Sequence, residues 1–323
     1  MPHLGCPHNC IFCDQRTISG VREPITEEEI KKACEIAAGT PHDIQESEIA
    51  FFGGSFTAVG RETQKMCLDA AAPYVGTVFG GIRISTRPDC IDGEELDFLK
   101  KHGVTSIELG AQSMFDAVLD MNERGHKAED TVRACGLIRK YGFSLGLQMM
   151  TGLYGSDREK DTETARRFIG LKPDTVRIYP TVVLKNTRLE KLYNEGQYEP
   201  PELNASAELC AELLEMFRSE GIRVIRLGLH SGGNVGDSFV AGVYHPAFGE
   251  ICESIIFRNK TERILNGKPK GFYRAEVFPG DISKMTGQKK SNISYFGSKG
   301  YYITVTGNED VRKGDVRLVS ERI

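Results

Sequence analysis

Three thiols crowd the start of the chain: GCPHNCIFCD sets Cys6, Cys10 and Cys13 at a C-x3-C-x2-C spacing on a tight loop. A [4Fe–4S] cubane is closed by four thiolates, so three leave one iron open to an external amino acid, which could be reduced there. Two plainer readings stand beside this one. A zinc site would need a fourth ligand such as His8, and the three thiols could be a chance group of core cysteines. The other six of the nine cysteines (Cys34, Cys67, Cys90, Cys135, Cys210 and Cys252) are scattered and read as core residues. An odd count with such crowding suits metal chemistry in a reducing compartment better than a disulfide framework.

With Phe12 just before its last cysteine, the loop resembles the signature of the radical S-adenosylmethionine (SAM) superfamily. The resemblance implies that a [4Fe–4S] cluster passes one electron to the sulfonium of SAM and breaks its S–C5′ bond. A 5′-deoxyadenosyl radical then abstracts hydrogen from a substrate, with the cofactor carrying the hard chemistry. An electron donor such as a flavodoxin or ferredoxin is implied as well. Further motifs fit the same resemblance. FFGGSF (51–56) looks like the glycine motif for the SAM amino group, through Gly53, Gly54 and Ser55. STRPD supplies Ser85 and Arg87, and ELGAQS supplies Glu108 and Gln112 as candidates for the ribose and the methionyl carboxylate. In MNERGH, Arg124 suits a bidentate carboxylate clamp and stands beside His126. Gly152 of QMMTGLYG is the expected place for adenine to stack on backbone. Tyr179 of RIYPT is the catalytic candidate, as a hydrogen-bonding or radical-relay residue. Each has a bland counterpart: a Gly-Gly turn, a Glu108 that pairs with Arg87 or Arg124, a packed tyrosine whose hydroxyl is satisfied.

The elements that must position these residues alternate. Six short β-rich runs are EIAFFG (48–53), GGIRIS (80–85), VTSIELG (104–110), FSLGLQMM (143–150), TVRIYP (175–180) and IRVIRLG (222–228). Helical patterns lie between them, one opened by a capping box at Thr26 and Glu29 and others closed at Gly103 and Gly142. This is an α/β pattern of parallel βαβ units. Unit after unit ends its strand in a Gly, Ser, Thr or charged residue, of the kind a (β/α) barrel gathers at its mouth. The expectation is a partial (β/α)6 TIM-like barrel over 1–234, followed by a small β-containing accessory segment over 235–323. In that segment YYITVTGNEDVRKGDVRLV reads as a hairpin and 279–292 as a mobile loop. His245, Pro246, Phe248 and Glu250 of GVYHPAFGEICES would line a substrate mouth or dock the tail.

Over about residues 1–200, FFGGSFTAVG, STRPDCID, IELGAQSMFDAVLDMNERGHKAEDT, GFSLGLQMMTGLYG and VRIYPTVVLKNTRLEKLYNEGQYEP appear in the order that resembles the radical domain of the elongator catalytic subunit family. Those relatives modify the wobble uridine of transfer RNA and join the radical domain to an acetyltransferase domain. No acetyltransferase domain fits residues 235–323, and the first cysteine interval is tighter than in that family. Only five residues precede Cys6, where the resemblance implies a whole first strand. That leaves either a late start or a barrel open at this edge.

Composition is that of an ordinary globular protein, 40% apolar and 27% charged. No apolar run is long enough for a membrane span and MPHLGCPHNC lacks a signal pattern, so a cytoplasmic location without membrane association is expected. Net charge is −4, unevenly divided: residues 258–323 carry 14 Lys+Arg against 7 Asp+Glu, leaving 27 against 38 elsewhere. Lys284, Lys289, Lys290, Arg312 and Lys313 make this basic segment a candidate RNA contact, transfer RNA included. The leading expectation is a radical SAM enzyme on an RNA base. The alternatives are a radical enzyme on a small molecule or tetrapyrrole, since ELGAQS and RGH also resemble the oxygen-independent coproporphyrinogen dehydrogenases, and a non-catalytic metal protein that binds RNA.

Overall fold

The six β-rich runs fold as strands in the computed structural model, which describes residues 5–14, 25–40, 43–229 and 235–320. They are β1 (Glu48–Phe51), β2 (Gly81–Thr86), β3 (Val104–Gln112), β4 (Ser144–Thr151), β5 (Thr175–Pro180) and, after a short β6 (Val182–Leu184), β7 (Arg223–Leu227). Their order in the sheet is β1-β2-β3-β4-β5-β7, with every neighbouring pair parallel. The sheet is thus the expected partial barrel, open between its two edge strands. Residues 1–4, where a further first strand would run, lie outside the described residues.

Helices alternate with the strands: α1 (Glu27–Ala38), α2 (Arg61–Ala71), α3 (Gly93–Lys101), α4 (Asp116–Met121), α5 (Ala128–Lys140), α6 (Arg158–Gly170), α7 (Arg188–Asn194) and α8 (Leu203–Ser219). Thr26 and Glu29 form the capping box of α1. Side chains on a strand alternate between faces, and here the two faces differ in kind. Ile82, Ile84, Ile107, Leu109, Leu145, Leu147, Val176 and Ile178 are buried on one face, the layer that helical Leu68, Leu96, Leu99, Ile138 and Phe168 complete. The positions between them are Arg83, Ser85, Ser106, Glu108, Gln148, Arg177 and Tyr179. An apolar outer layer therefore holds the sheet to its helices, and the lumen is left polar.

The chain divides into two compact units, one of 1–202 and 217–244, the other of 203–216 and 245–323. Residue 234, where the sequence suggests a boundary, lies outside the described residues. The first unit also contains β8 (Phe239–Gly242), antiparallel to β6. The second contains α9 (Phe248–Leu265), β9 (Gly271–Val277), α10 (Ile282–Thr286), α11 (Ser291–Ser298), β10 (Tyr301–Gly307) and β11 (Val316–Ser320). Its core gathers Phe257, Leu265, Tyr273, Ala275, Val277, Met285, Phe296 and Ile303.

Two expectations about the second unit are corrected. The segment 279–292 is built from α10, two 3-10 turns and the start of α11, because Met285 and Asn292 are buried and the Asn292 amide donates to the carbonyls of Ser254, Lys284 and Met285. Nor do β10 and β11 form a hairpin: both pair with β9, β10 in parallel and β11 antiparallel. Residues 308–315 carry the chain across the end of β9, whose alternating Tyr273, Ala275 and Val277 make it the buried central strand. Of the six scattered cysteines, five are buried and Cys90 is half-buried. No described helix is long and apolar enough to cross a membrane.

Candidate active site

The cysteine loop is held from both sides. The Ile11 N–H donates to the Asn122 carbonyl at 3.3 Å, the Leu189 N–H donates to the Ile11 carbonyl at 2.9 Å, and Cys13 N–H closes a turn on the Cys10 carbonyl at 3.0 Å. Ile11 is buried with Val183, Leu189 and Tyr198, and Phe12 packs against the same cluster. Apolar residues between the cysteines thus anchor the loop to α7 and β6, while Cys6, Cys10 and Cys13 all face a cavity of about 410 Å3 at the sheet's carboxyl end.

Of the candidate site residues, Phe12, Gly53, Gly54, Ser85, Arg87, Gln112, Arg124 and Tyr179 line that cavity. Sequence reasoning missed His8 as a wall rather than a ligand, and also Asn9, Phe52, Gln148, Met150, Arg177 and Arg226. Gln148 and Arg177 could have been found, since each lies two residues before another lining residue (Met150 and Tyr179) on a strand of period two. His8 packs on the backbone of Gly125, where an added Cβ would stand 2.2 Å from His8 Nε2.

Ser55, Glu108 and Gly152 are expected cofactor contacts that do not line the cavity. The buried Ser55 hydroxyl bonds to Thr86 Oγ1 at 2.8 Å and accepts from the Arg87 N–H, bracing the end of β2. Gly152 is committed locally: its N–H donates to Asp161 Oδ2 at 2.8 Å and its carbonyl accepts from the Tyr198 hydroxyl at 2.6 Å. Glu108 is fully buried and pairs with neither Arg87 nor Arg124. Its carboxylate meets Arg177 Nε at 2.8 Å and Arg83 Nη1 at 3.8 Å, and accepts from Gln148 Nε2. Gly146 leaves room for it, since a Cβ there would touch Glu108 Cγ at 3.0 Å. Arg83 in turn holds Glu48 at 2.6 Å, so a chain of alternating charges runs across the lumen from β1 to β5. His245, Pro246, Phe248 and Glu250 are not among the lining residues either. The His245 Nδ1 accepts from the Ala247 N–H ahead of α9.

Arg124 stands closer to the cysteines than its expected role implies. Its Nη1 donates to Cys10 Sγ at 3.2 Å and its Nη2 to the Gly110 carbonyl at 2.6 Å, while Nε is buried without a partner. Gly110 lies where the β3–β4 register shifts between Leu109 and Gln112, and Gln112 takes φ +66°. Bulges of this kind re-aim side chains beside functional sites. Here Gln112 Oε1 is buried in the wall with no hydrogen-bond partner. Arg87 is fixed by Asp89 at 2.9 Å and by the Arg124 carbonyl. Burial raises the Cys6 thiol above its ordinary value, against the pull of Arg124 and Arg87. Burial pushes His126 down to about 4, so its ring is neutral at neutral pH.

The donor set distinguishes the two metal readings. A zinc ion draws its ligands to about 2.0–2.3 Å, and among the described residues no three His, Cys, Asp or Glu side chains converge to hold a single ion. The thiols of a cubane each bind a different iron and stand further apart. Three thiols around one cavity, with an orphaned Gln112 oxygen and the Arg124 guanidinium on its wall, fit a cluster with a polar amino-acid ligand beside it.

Asp161, under the Gly152 turn, makes a pH prediction. Burial raises it from an ordinary 3.8 to about 6, although Ser156 and the Gly152 N–H donate to it. Because the folded-state value is raised, its contribution to stability is full below 3.8 and is lost as pH rises through about 6. Asp161→Asn is expected to flatten the urea-unfolding stability across that window; an unchanged slope would count against the protonated carboxyl.

Residues 2–168 match the radical SAM superfamily and residues 173–257 match the radical SAM C-terminal domain. An uncharacterized protein of Methanocaldococcus jannaschii is 33% identical over 226 residues, 66% of this chain and 69% of that protein. The tRNA uridine(34) acetyltransferase of the same organism is 30% identical over 237 residues, 60% of this chain and 44% of the relative. Elongator complex protein 3 of Saccharomyces cerevisiae is 27% identical over 54% of this chain and 35% of its own length. Among solved structures, Methanocaldococcus infernus Elp3 with an N-terminal deletion matches with a TM-score of 0.63 and 25% identity, covering 72% of this chain and 59% of that one. The chain thus spans between 35% and 59% of the length of these acetyltransferase and elongator proteins. Fold, cysteine loop and sequence agree: the chain belongs to the radical SAM superfamily and is an enzyme of that class, using a [4Fe–4S] cluster and SAM.

Proposed function

We propose that the enzyme acts on RNA, with a transfer RNA base as its substrate. The observation that carries this reading is the similarity of 60–65% of this chain to proteins named for tRNA uridine 34. The cavity wall supports it, because Arg226 stands near Tyr179 and adds a guanidinium suited to an anionic substrate, while Arg177 is paired with Glu108. The acetyl-transfer chemistry of those relatives is not part of the proposal.

Cys6, Cys10 and Cys13 would hold the cluster, with Phe12 covering it. Gly53, Gly54, Ser85, Arg87, Gln112 and Arg124 would surround SAM, Gln112 offering its unpaired Oε1 to an ammonium or a hydroxyl. When bound, cluster and SAM supply reductive sulfonium cleavage and hydrogen abstraction. Tyr179 would face the substrate. Burial raises its phenol against the pull of Arg177, so the hydroxyl keeps its proton and can donate. A flavodoxin or ferredoxin would deliver the electron.

The test is to reconstitute the chain without oxygen and measure 5′-deoxyadenosine formation from SAM with and without bulk transfer RNA. RNA-stimulated product absent from Cys10→Ala is the expected result. Product indifferent to RNA would move the substrate to small molecules.

A further inference from the structure

The second unit has a three-stranded sheet whose inner side is its core and whose outer side carries an aromatic pair. Phe272 on β9 and Tyr302 on β10 are direct cross-strand partners, 44% and 54% exposed, with ring centroids 4.9 Å apart and planes 26° from parallel. Exposed aromatics cost solvation and are normally scattered; a stacked pair on an open face leaves the outer face of each ring available to a further planar group.

Period-two alternation puts Arg274 and Arg317 on the same face, since Arg274 follows Phe272 by two residues and Arg317 pairs with Glu276 across β9 and β11. Glu276 holds both: Arg317 Nε donates at 2.8 Å and Arg274 Nε lies 3.3 Å from its carboxylate. The next row of β10 is Thr304, also exposed. Two pre-oriented guanidiniums beside two stacked rings match the chemistry of single-stranded nucleic acid, whose bases stack on aromatic faces and whose phosphates take arginine. The surrounding charge agrees, as residues 258–323 carry 14 Lys+Arg against 7 Asp+Glu.

We infer that the outer face of the β10-β9-β11 sheet, with Phe272 and Tyr302 at its centre, is a stacking platform for unpaired bases of the RNA substrate. This rests on the RNA reading above and adds where the RNA is gripped. Phe272 and Tyr302 read the base face, and Arg274 and Arg317 read the adjacent backbone.

The chain has no tryptophan, so Phe272→Trp places a single indole on the platform. In the reconstituted protein, a short oligouridylate is expected to quench that indole. The double variant Phe272→Ala with Tyr302→Ala is expected to bind fluorescein-labelled oligouridylate and bulk transfer RNA about ten- to a hundredfold more weakly. Its RNA-free 5′-deoxyadenosine formation should equal that of the parent. A double variant that binds both RNAs like the parent, or an indole that no RNA quenches, would overturn the platform and assign the face to a protein contact, while leaving the RNA reading intact. A parent chain that binds neither RNA would overturn the RNA reading itself, and the platform with it.

Discussion

Cys10→Ala is expected to leave the reconstituted protein without its [4Fe–4S] absorbance and without measurable 5′-deoxyadenosine formation. Cys10 is the buried member of the three thiols and sits where the loop turns, its carbonyl accepting from Cys13 and its sulfur from Arg124. Two thiols cannot hold a cubane that already lacks a fourth protein ligand. The loss should exceed the roughly 10–100-fold that removal of an outer hydrogen-bond partner costs at metal sites. Arg124→Gln provides that comparison, since it removes the donor to the sulfur, and the bond to the Gly110 carbonyl with it, but leaves all three thiols. Iron and sulfide content per chain, read beside product, separates cluster loss from slow chemistry. Cys34→Ala, on the buried face of α1, should keep full iron content. A Cys10→Ala protein that retains iron, sulfide and turnover would remove the basis for the assigned loop.

Glu108→Ala is expected to give the largest loss of stability. The carboxylate is completely buried and holds Arg177 at 2.8 Å and Arg83 at 3.8 Å. Removing one partner of a buried pair leaves an uncompensated charge and costs about 3–5 kcal/mol, a fall in melting temperature on the order of 10 °C. Arg83 keeps Glu48, so the stranded charge is chiefly Arg177. The double variant Glu108→Ala with Arg177→Leu should therefore recover part of the loss, because an apolar replacement removes the orphan. Equal stability of the single and double variants would show that the pair is not coupled.

These residues also show what is legible in a chain and what is not. The strands were legible because apolar side chains recur every second residue, and the cysteine loop because its chemistry is local. Gln112 could be placed because a parallel barrel collects its strand ends at one mouth, whereas the lining glycines and Arg124, which follows α4, were placed by the family resemblance. The partner of Glu108 was not, because Arg177 lies on β5 and reaches it only through the registers of β3 with β4 and β4 with β5. Turn signals between β10 and β11 suggested a hairpin, yet pairing depends on which strand is most deeply buried, and β9 takes both. Helices as short as α10 carry too few residues for a period, and Lys289 and Lys290, at φ +53° and +62°, interrupt the pattern that follows. In sequence the basic segment shows charge alone, whereas in the fold Lys284 is tied to Asp281 at 2.9 Å and strand register brings the exposed aromatics together beside that charge.

The second unit draws its residues from two separated stretches, 203–216 and 245–323, and this has a consequence for timing. On a ribosome adding about 5–20 residues per second, Leu209, Cys210, Leu213 and Leu214 emerge seconds before the strands of their own unit, although all four are buried in the finished protein. During that interval the nascent chain must carry an apolar helix face without its unit, while the first unit still awaits β8. Slower translation lengthens that exposure, so synonymous codons between 217 and 300 bear on yield even though they change no residue.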